Sequence, residues 1–476
     1  MAFFGKQLLR RISPAPSTEA CYWATIVAVS CAVASLDSSE KREAKDSQNN
    51  SLASSSAPHC QHNWVVPPFT WSARAARCEE APPEPLIARK FNTVSETQQQ
   101  ADAYPNFSRH GSNATLQKYL TPHVYDQLKN QKTASGVTLE DMIVAATSLP
   151  LGAKPPRGVA GVYAGDAECY STFALLLDPI IQEHHRSRTR RRGLRRHRTN
   201  LDTQFLASRQ IDPEGQYILS TRLRLARSIK GFRFAPCINR SERRAIEALV
   251  RECCREWDGH KNGAGGYRSV MDMTNDEHDD LVKRRILFPD PDPFRLSAGT
   301  HRAWPDARGL YCDNYDKPSL MVWANHEDHV WIISTSKGGN VQDVFAKLSA
   351  AAMALETSLA EKDHVFVEDK HLGFLNTSPA NIGTALQASV HVKLVRLGRL
   401  PGFADFVKRL RLEIRREYDG SNRYNGIFDI GNLEALGKSE VELINIVIDG
   451  IDRLIALEKK LEQGQHVDLD KEPGLF

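Results

Sequence analysis

Asn376-Thr377-Ser378-Pro379-Ala380-Asn381-Ile382-Gly383-Thr384 leads within a few residues into Val390-His391-Val392-Lys393-Leu394. The Pro-x-Asn-x-Gly-Thr frame builds a local backbone rather than a regular element. The alternating run ASVHVKLV after it reads as a strand. Just before it, HVFVED (364–369) and LGFLNTS (372–378) read as two more. Earlier still, SLMVWANHED (319–328) and HVWIISTSK (329–337) flank a tight polar turn and read as a hairpin.

YILSTRLRLARS (217–228) alternates as another strand. Helices are expected over NRSERRAIEALVREC, where Asn239 and Glu242 form a capping box, and after Lys337-Gly338-Gly339-Asn340. A long amphipathic helix opens on a second box, Ser439 with Glu442. Clustered hairpins with helices to one side predict an α+β fold with a largely antiparallel sheet over residues 212–465. Residues 115–185 carry a different pattern. LQKYLTPHVYDQLKN, LEDMIVAATSL and YSTFALLLDPIIQEHH space their apolar residues as helices, which predicts a small all-helical N-terminal domain. Residues 466–476 form a tail.

The chain has 476 residues, room for two domains plus extensions. Apolar residues make up 41% and charged residues 25%, ordinary usage for a soluble globular protein. The net charge of +4 does not by itself imply nucleic acid, and no nucleic-acid partner is expected. The nine cysteines are scattered, without a CxxC pair or a histidine at zinc spacing. They read as free thiols, and no metal site is expected.

The N-terminal segment 1–36 carries Lys6, Arg10 and Arg11 with no acid before Glu19. That is the composition of a mitochondrial transit peptide. Ala20 to Leu36 is nearly uncharged and at the short limit for crossing a bilayer, so a cleaved sorting segment and a retained anchor both fit. Residues 37–114 are polar and proline-bearing and read as linker, with a short helix near Glu96–Ala103. Residues 186–211 form a second linker, whose first part, 186–198, holds eight arginines in thirteen residues. It reads as a solvated loop. The functional alternative is a patch for anionic inner-membrane lipid or an acidic protein partner.

Taken with YILSTRLRLARS, WPDARG (304–309), NHEDH (325–329), KGGN (337–340) and LGKSEVEL (436–443), the 376–384 motif resembles the phosphagen (guanidino) kinase family, nearest its mitochondrial creatine kinase branch. The resemblance covers about residues 114–465. It implies the guanidino kinase fold, Mg-ATP or ADP as nucleotide, homo-oligomers, and a place in the mitochondrial intermembrane space or at the inner membrane.

Phosphoryl transfer to a guanidine needs phosphate charge neutralised and the guanidinium oriented. The resemblance assigns nucleotide phosphates to Arg222, Arg224 and Arg415, places His391 near the adenine, and makes Glu327 the base. Read without it, His391 is a satisfied strand histidine and Glu327 a turn carboxylate. Other family positions have changed. Ser378 replaces a reactive cysteine, and a hydroxyl does not ionise near neutral pH. Trp331 and Gln387 stand where phosphate arginines are implied, Arg285 where a histidine is, His326 where a second acid is, and Ala435 where an arginine is. The glycine-rich closing loop is rewritten as REYDGSNRYN (416–425). One lost transition-state donor costs on the order of 10²–10³ in rate, and the combined loss here is roughly 10⁴ or more. The expectation is a catalytically impaired or inactive kinase homologue, a structural or interaction subunit of a mitochondrial membrane-associated complex such as an ATP synthase or respiratory assembly. The alternatives are an active, divergent ATP:guanidino phosphotransferase and a nucleotide-binding sensor.

Overall fold

The computed structural model describes residues 104–105, 107, 114–147, 160–185, 196–257, 265–417 and 425–475. All lie in the unit running from Ala88 to Phe476. The expected transit segment, the hydrophobic run Ala20 to Leu36, the helix near Glu96–Ala103, most of the 37–114 linker, the arginines at 186–195 and residues 418–424 of the rewritten loop fall outside the described residues.

The N-terminal part is helical, as its spacing predicts. Its helices are α1 (Ala114–Tyr119), α2 (Pro122–Leu128), α3 (Leu139–Thr147), α4 (Cys169–Thr172) and α5 (Ala174–His184). The single periodic run at 116–128 is divided in the structure. Pro122 has no amide to continue α1, so the chain restarts with Thr121 accepting from the Val124 amide as N-cap. Leu116, Leu120, Leu128, Phe173 and Leu176 bury together, and Leu372, Leu375, Ile382 and Leu436 from the C-terminal part complete this core.

The larger part is an eight-stranded antiparallel sheet flanked by helices, the architecture expected from the sequence. Its strands are β1 (Ile218–Arg227), β2 (Gly266–Ser269), β3 (Gly309–Cys312), β4 (Leu320–Ala324), β5 (Val330–Lys337), β8 (Leu386–Lys393), β9 (Leu412–Glu417) and β10 (Ile427–Asn432). The order is β2-β3-β4-β5-β1-β8-β10-β9. The two strands expected at 364–378 shrink to the separate two-residue pair β6 (Glu368–Asp369) and β7 (Gly373–Phe374). The Asp369 side chain takes the amides of His371 and Leu372, both at 2.8 Å, and bends the chain into a turn.

The helices of this part are α6 (Arg240–Arg255), α7 (Asn275–Lys283), α8 (Pro293–Ser297), α9 (Val341–Ala360), α10 (Phe403–Arg409) and α11 (Glu440–Glu462). Both expected capping boxes are present, at the starts of α6 and α11. One sheet face presents Leu223, Leu225, Ile332, Leu386, Ala388 and Val390 to α6, α9 and α11 and forms the main core. Each of these leucine, isoleucine and valine side chains contributes about 1.5–3 kcal/mol through burial. Residues 466–475 also pack on this core through Val467 and Leu469.

Strand alternation sends the neighbours of those residues to the opposite face. Arg222, Arg224, Trp331, Gln387, Ser389 and His391 therefore share it. In the ladder Arg224 lies opposite Ile333 on β5 and Gln387 on β8, and Arg222 opposite Thr335 and Ser389.

Candidate active site

The turn joining β4 to β5 is held from beneath. Asn325 takes a left-handed conformation (φ 55°), which asparagine tolerates, and its side-chain amide donates to the carbonyls of Arg243 and Ala307, both at 2.8 Å. Asp328 then binds the 376–384 segment. It accepts from the Thr377 amide at 2.9 Å and from the Asn381 side chain at 2.8 Å, while Thr377 Oγ1 donates to the Glu327 carbonyl at 2.9 Å. Gly383 sits at φ 79°, and a Cβ there would lie 2.3 Å from the Ala435 carbonyl oxygen, so only glycine fits. The motif acts as a clasp that positions Glu327.

Glu327 is about one-fifth exposed (21%), and its Oε2 lies 3.8 Å from Arg295 Nη2. That is ion-pair reach but longer than a hydrogen bond. Burial raises the Glu327 carboxyl pKa above its ordinary value, the Arg295 charge and a hydrogen bond from Tyr163 lower it, and Asp292 raises it further. Burial, then the Glu327 charge, also raises Asp328. His326 is buried against Phe288 (ring centroids 4.9 Å), His301 (5.1 Å) and Trp323 (5.4 Å). Burial first, then His301 and Arg295, keeps its pKa far below the usual imidazole range, so it is neutral. It supplies no negative charge beside Glu327.

Arg222 and Arg224 stand side by side on β1. Arg222 donates to the Arg285 carbonyl at 2.9 Å, and its guanidinium lies 5.5 Å from the Trp323 ring. Its Nε and Nη2 are buried and find no hydrogen-bond partner among the described residues. Burial and the Arg285 charge lower its pKa to about 10. Such a guanidinium is set to receive an anion. The Arg224 guanidinium lies 5.8 Å from the Trp331 ring. Trp331 is buried in the cluster of Trp323, Phe288 and Ile333, and its indole Nε1 finds no partner among the described residues.

Gln387 contacts Asn381 Oδ1 at 3.4 Å. His391 Nδ1 and Ser220 Oγ are 2.8 Å apart, and His391 Nε2 is 3.9 Å from Asp429. The Arg415 guanidinium is tied into the sheet edge, donating to Glu413 Oε1 at 2.9 Å and to the carbonyls of Ala388 at 2.6 Å and Asn432 at 3.2 Å. Ser378 is buried, and its Oγ accepts from the Ala380 amide at 3.3 Å. Ala435 is buried, and its carbonyl takes both the amide and the hydroxyl of Thr384.

Two participants do not emerge from sequence spacing. Arg295 and Tyr163 reach Glu327 from α8 and from the loop before α4. The only local signal was Asp292-Pro293, a helix start. Arg227 turns to the face opposite Arg222 and Arg224. It donates to the Thr384 carbonyl at 2.9 Å and lies 3.7 Å from Glu440, both residues buried. Among the described residues no group of three or more His, Cys, Asp or Glu could hold a metal, and no helix is long and apolar enough to cross a membrane.

Comparison with known proteins agrees with this geometry. A family model described as ATP:guanido phosphotransferase, N-terminal domain, matches residues 110–182, and one described as its C-terminal catalytic domain matches residues 245–461. Creatine kinase M-type of Rattus norvegicus is 38% identical over 370 residues, 77% of this chain and 94% of its own length. Creatine kinase B-type of Gallus gallus is 38% identical over 371 residues, again 77% of this chain and 94% of its own. The crystal structure of lombricine kinase superposes with a TM-score of 0.67 at 32% identity, covering 77% of this chain and 96% of that one. The duplicated taurocyamine kinase of Schistosoma mansoni with bound transition-state analogue components gives 0.65 at 28% identity, covering 78% and 49%.

Proposed function

The chain belongs to the phosphagen kinase (ATP:guanido phosphotransferase) family, and from that premise we propose that it retains the kinase frame while transferring phosphoryl groups from Mg-ATP poorly or not at all. The observation that carries this reading is Trp331. Its buried indole lies beside the Arg224 guanidinium on the face where the resemblance expects a second phosphate arginine. An apolar ring there excludes water but offers no charge to a phosphate oxygen. Gln387, directly across the ladder from Arg224, offers hydrogen bonds without charge. Neutral His326 and Ser378 remove negative charge from the guanidine side. Losses of on the order of 10²–10³ per donor support a combined deficit of roughly 10⁴.

On this reading the fold serves as a structural or interaction subunit. The basic start at Lys6, Arg10 and Arg11 supports a mitochondrial location, and the arginines of 186–198 support attachment to an anionic membrane surface or protein complex. A second reading is favoured by Arg222, whose buried, partly unpartnered guanidinium suits an anion. It keeps nucleotide binding, with residual transfer through Glu327 or none.

The test is Mg-ATP binding by the full chain, followed by transfer to creatine, arginine and related guanidines. Turnover that disappears in Glu327→Gln overturns the impaired-kinase reading. Binding without turnover favours a sensor. Absence of both, with migration in a large mitochondrial complex on native gels, supports the structural role, and migration as a free small oligomer counts against it.

A further inference from the structure

Arg295 bears the same chemical group as the substrates of the family, and it stands on the carboxylate that would receive them. We propose that the Arg295 guanidinium occupies the guanidine subsite of this chain and closes Glu327 to guanidines from solution. The inference rests on the reading of Glu327 as the guanidine-facing carboxylate.

The side chain is held where it is by its own helix. Asp292 caps α8, accepting from the Arg295 amide at 2.8 Å, and takes Arg295 Nη1 at 2.5 Å. Phe294 and Ala298 bury against Ala145 and Tyr163 of the N-terminal part, so α8 is clamped on both sides of Arg295. With Nη1 committed to Asp292, Nη2 is the atom directed at Glu327, 3.8 Å away. Nε is buried and finds no hydrogen-bond partner among the described residues.

With Nη2 within ion-pair reach of Glu327, the Arg295 guanidinium takes up space beside the carboxylate that an incoming guanidine would need for its own paired contact. A second guanidinium at Glu327 would meet Arg295 as a like charge in a partly buried site, where such juxtaposition is unfavourable. The one acid that offsets Arg295 among these neighbours, Asp292, is already paired with its Nη1 and is not left to receive a second guanidinium. His326 is neutral, and both oxygens of Asp328 are engaged by Thr377 and Asn381.

The test is calorimetric titration of the full chain with creatine, L-arginine and methylguanidine. Arg295→Leu and Arg295→Gln are each expected to bind at least about tenfold more tightly than wild type, as removal of a like-charge contact predicts. Arg295→Lys, which keeps the cation, is expected to stay as weak as wild type. Adding Glu327→Gln to either neutral variant should abolish the gain. Thermal melts identify any variant that fails to fold, and the glutamine variant, which preserves chain length, stands in if leucine does. A gain that survives Glu327→Gln overturns the proposal. Transfer from Mg-ATP is measured separately. Turnover appearing only in the neutral variants overturns the impaired-site reading and supports the Arg295 assignment. Equal guanidine affinity in wild type and neutral variants, with no turnover in any, overturns the Arg295 assignment alone.

Discussion

The Asn381 side-chain amide donates to Asp328 Oδ2 at 2.8 Å and so joins the 376–384 segment to the β4–β5 turn. The other Asp328 oxygen takes the Thr377 amide at 2.9 Å. Both partners are buried, so neither donor has water to fall back on. Asn381→Ala is expected to lower unfolding stability by about 1–3 kcal/mol, the cost of one unmade buried hydrogen bond. Asp328→Ala strands two donors and is expected to cost about 2–5 kcal/mol. Urea melts followed by tryptophan fluorescence check both. Equal stability of Asp328→Ala and wild type would show that the clasp does not hold the turn.

Trp331 fills apolar space beside Arg224, so Trp331→Arg exchanges a packed ring for a second buried cation. Without nucleotide the variant is expected to lose about 3–5 kcal/mol through the missing ring and the unpaired charge. Mg-ATP is expected to restore part of that loss, because a charge-assisted bond to phosphate is worth about 1.5–3 kcal/mol. The readout is the shift in melting temperature with added Mg-ATP. A larger shift in the variant than in wild type supports the assignment of this face to phosphate. An equal shift means that phosphate does not bind there.

Features that depend on neighbours in the chain were legible in the sequence. The capping boxes at Asn239 and Ser439, the hairpin around Asn325 and the shared face of Arg222 and Arg224 follow from short-range spacing, and the structure contains each of them. Periodicity failed where one residue overrode it. Pro122 divided an otherwise continuous helical pattern, and the strands expected at 364–369 and 372–378 keep only two residues each on either side of the Asp369 turn. The site was legible only as a set of exchanged residues. That His326 is neutral depends on Phe288 and His301, and that Arg295 meets Glu327 depends on the packing of Phe294 against Tyr163. Contacts between distant segments leave no period to read.

His329 fixes a pH dependence. Its Nδ1 accepts from the Ile229 amide at 3.0 Å, which requires the proton on Nε2, directed at the Arg233 carbonyl 2.9 Å away. A protonated ring would have no lone pair for Ile229. Burial lowers the folded pKa to about 4, while the hydrogen bond to Arg233 raises it slightly. A folded pKa below the unfolded value of about 6.5 means that the contribution is complete above that pH and is lost as pH falls towards 4. Burial pushes His301 and His185 down to about 3 and His197 down to about 4, and these act in the same direction. The raised carboxyls of Glu327, Asp328 and Glu440 oppose them, since their contributions are present at low pH and are lost as pH rises through their folded values. His329→Asn keeps an acceptor for Ile229 without a titrating ring. Its stability is expected to fall less steeply between pH 6.5 and 4 than that of wild type, by up to about 1.4 kcal/mol per pH unit. Urea melts across that range measure the difference, and parallel curves would remove His329 as a source of acid sensitivity.

Ser378→Cys restores the side chain that the resemblance expects at this position. The mutant is expected to fold as wild type does, because a sulfur replaces an oxygen whose one hydrogen bond among the described residues is a 3.3 Å bond from the Ala380 amide. The stability change should stay within about 1 kcal/mol, the lower part of the usual range for point changes. Transfer activity is not expected to return. A thiol ionises when positive charge or several donors stabilise the thiolate, and with one long bond from the Ala380 amide burial holds it protonated. Residue 378 is buried next to Thr377, whose amide already serves the Asp328 carboxylate, and Arg295 is engaged by Asp292 and Glu327. The checks are turnover with Mg-ATP and the pH dependence of thiol alkylation in the full chain. Alkylation at this position should follow a pKa above the ordinary cysteine value of about 8.5. A thiolate formed near neutral pH together with measurable turnover would show that the loss of the cysteine alone had silenced the site, and that Trp331, Gln387 and His326 are tolerated by the chemistry.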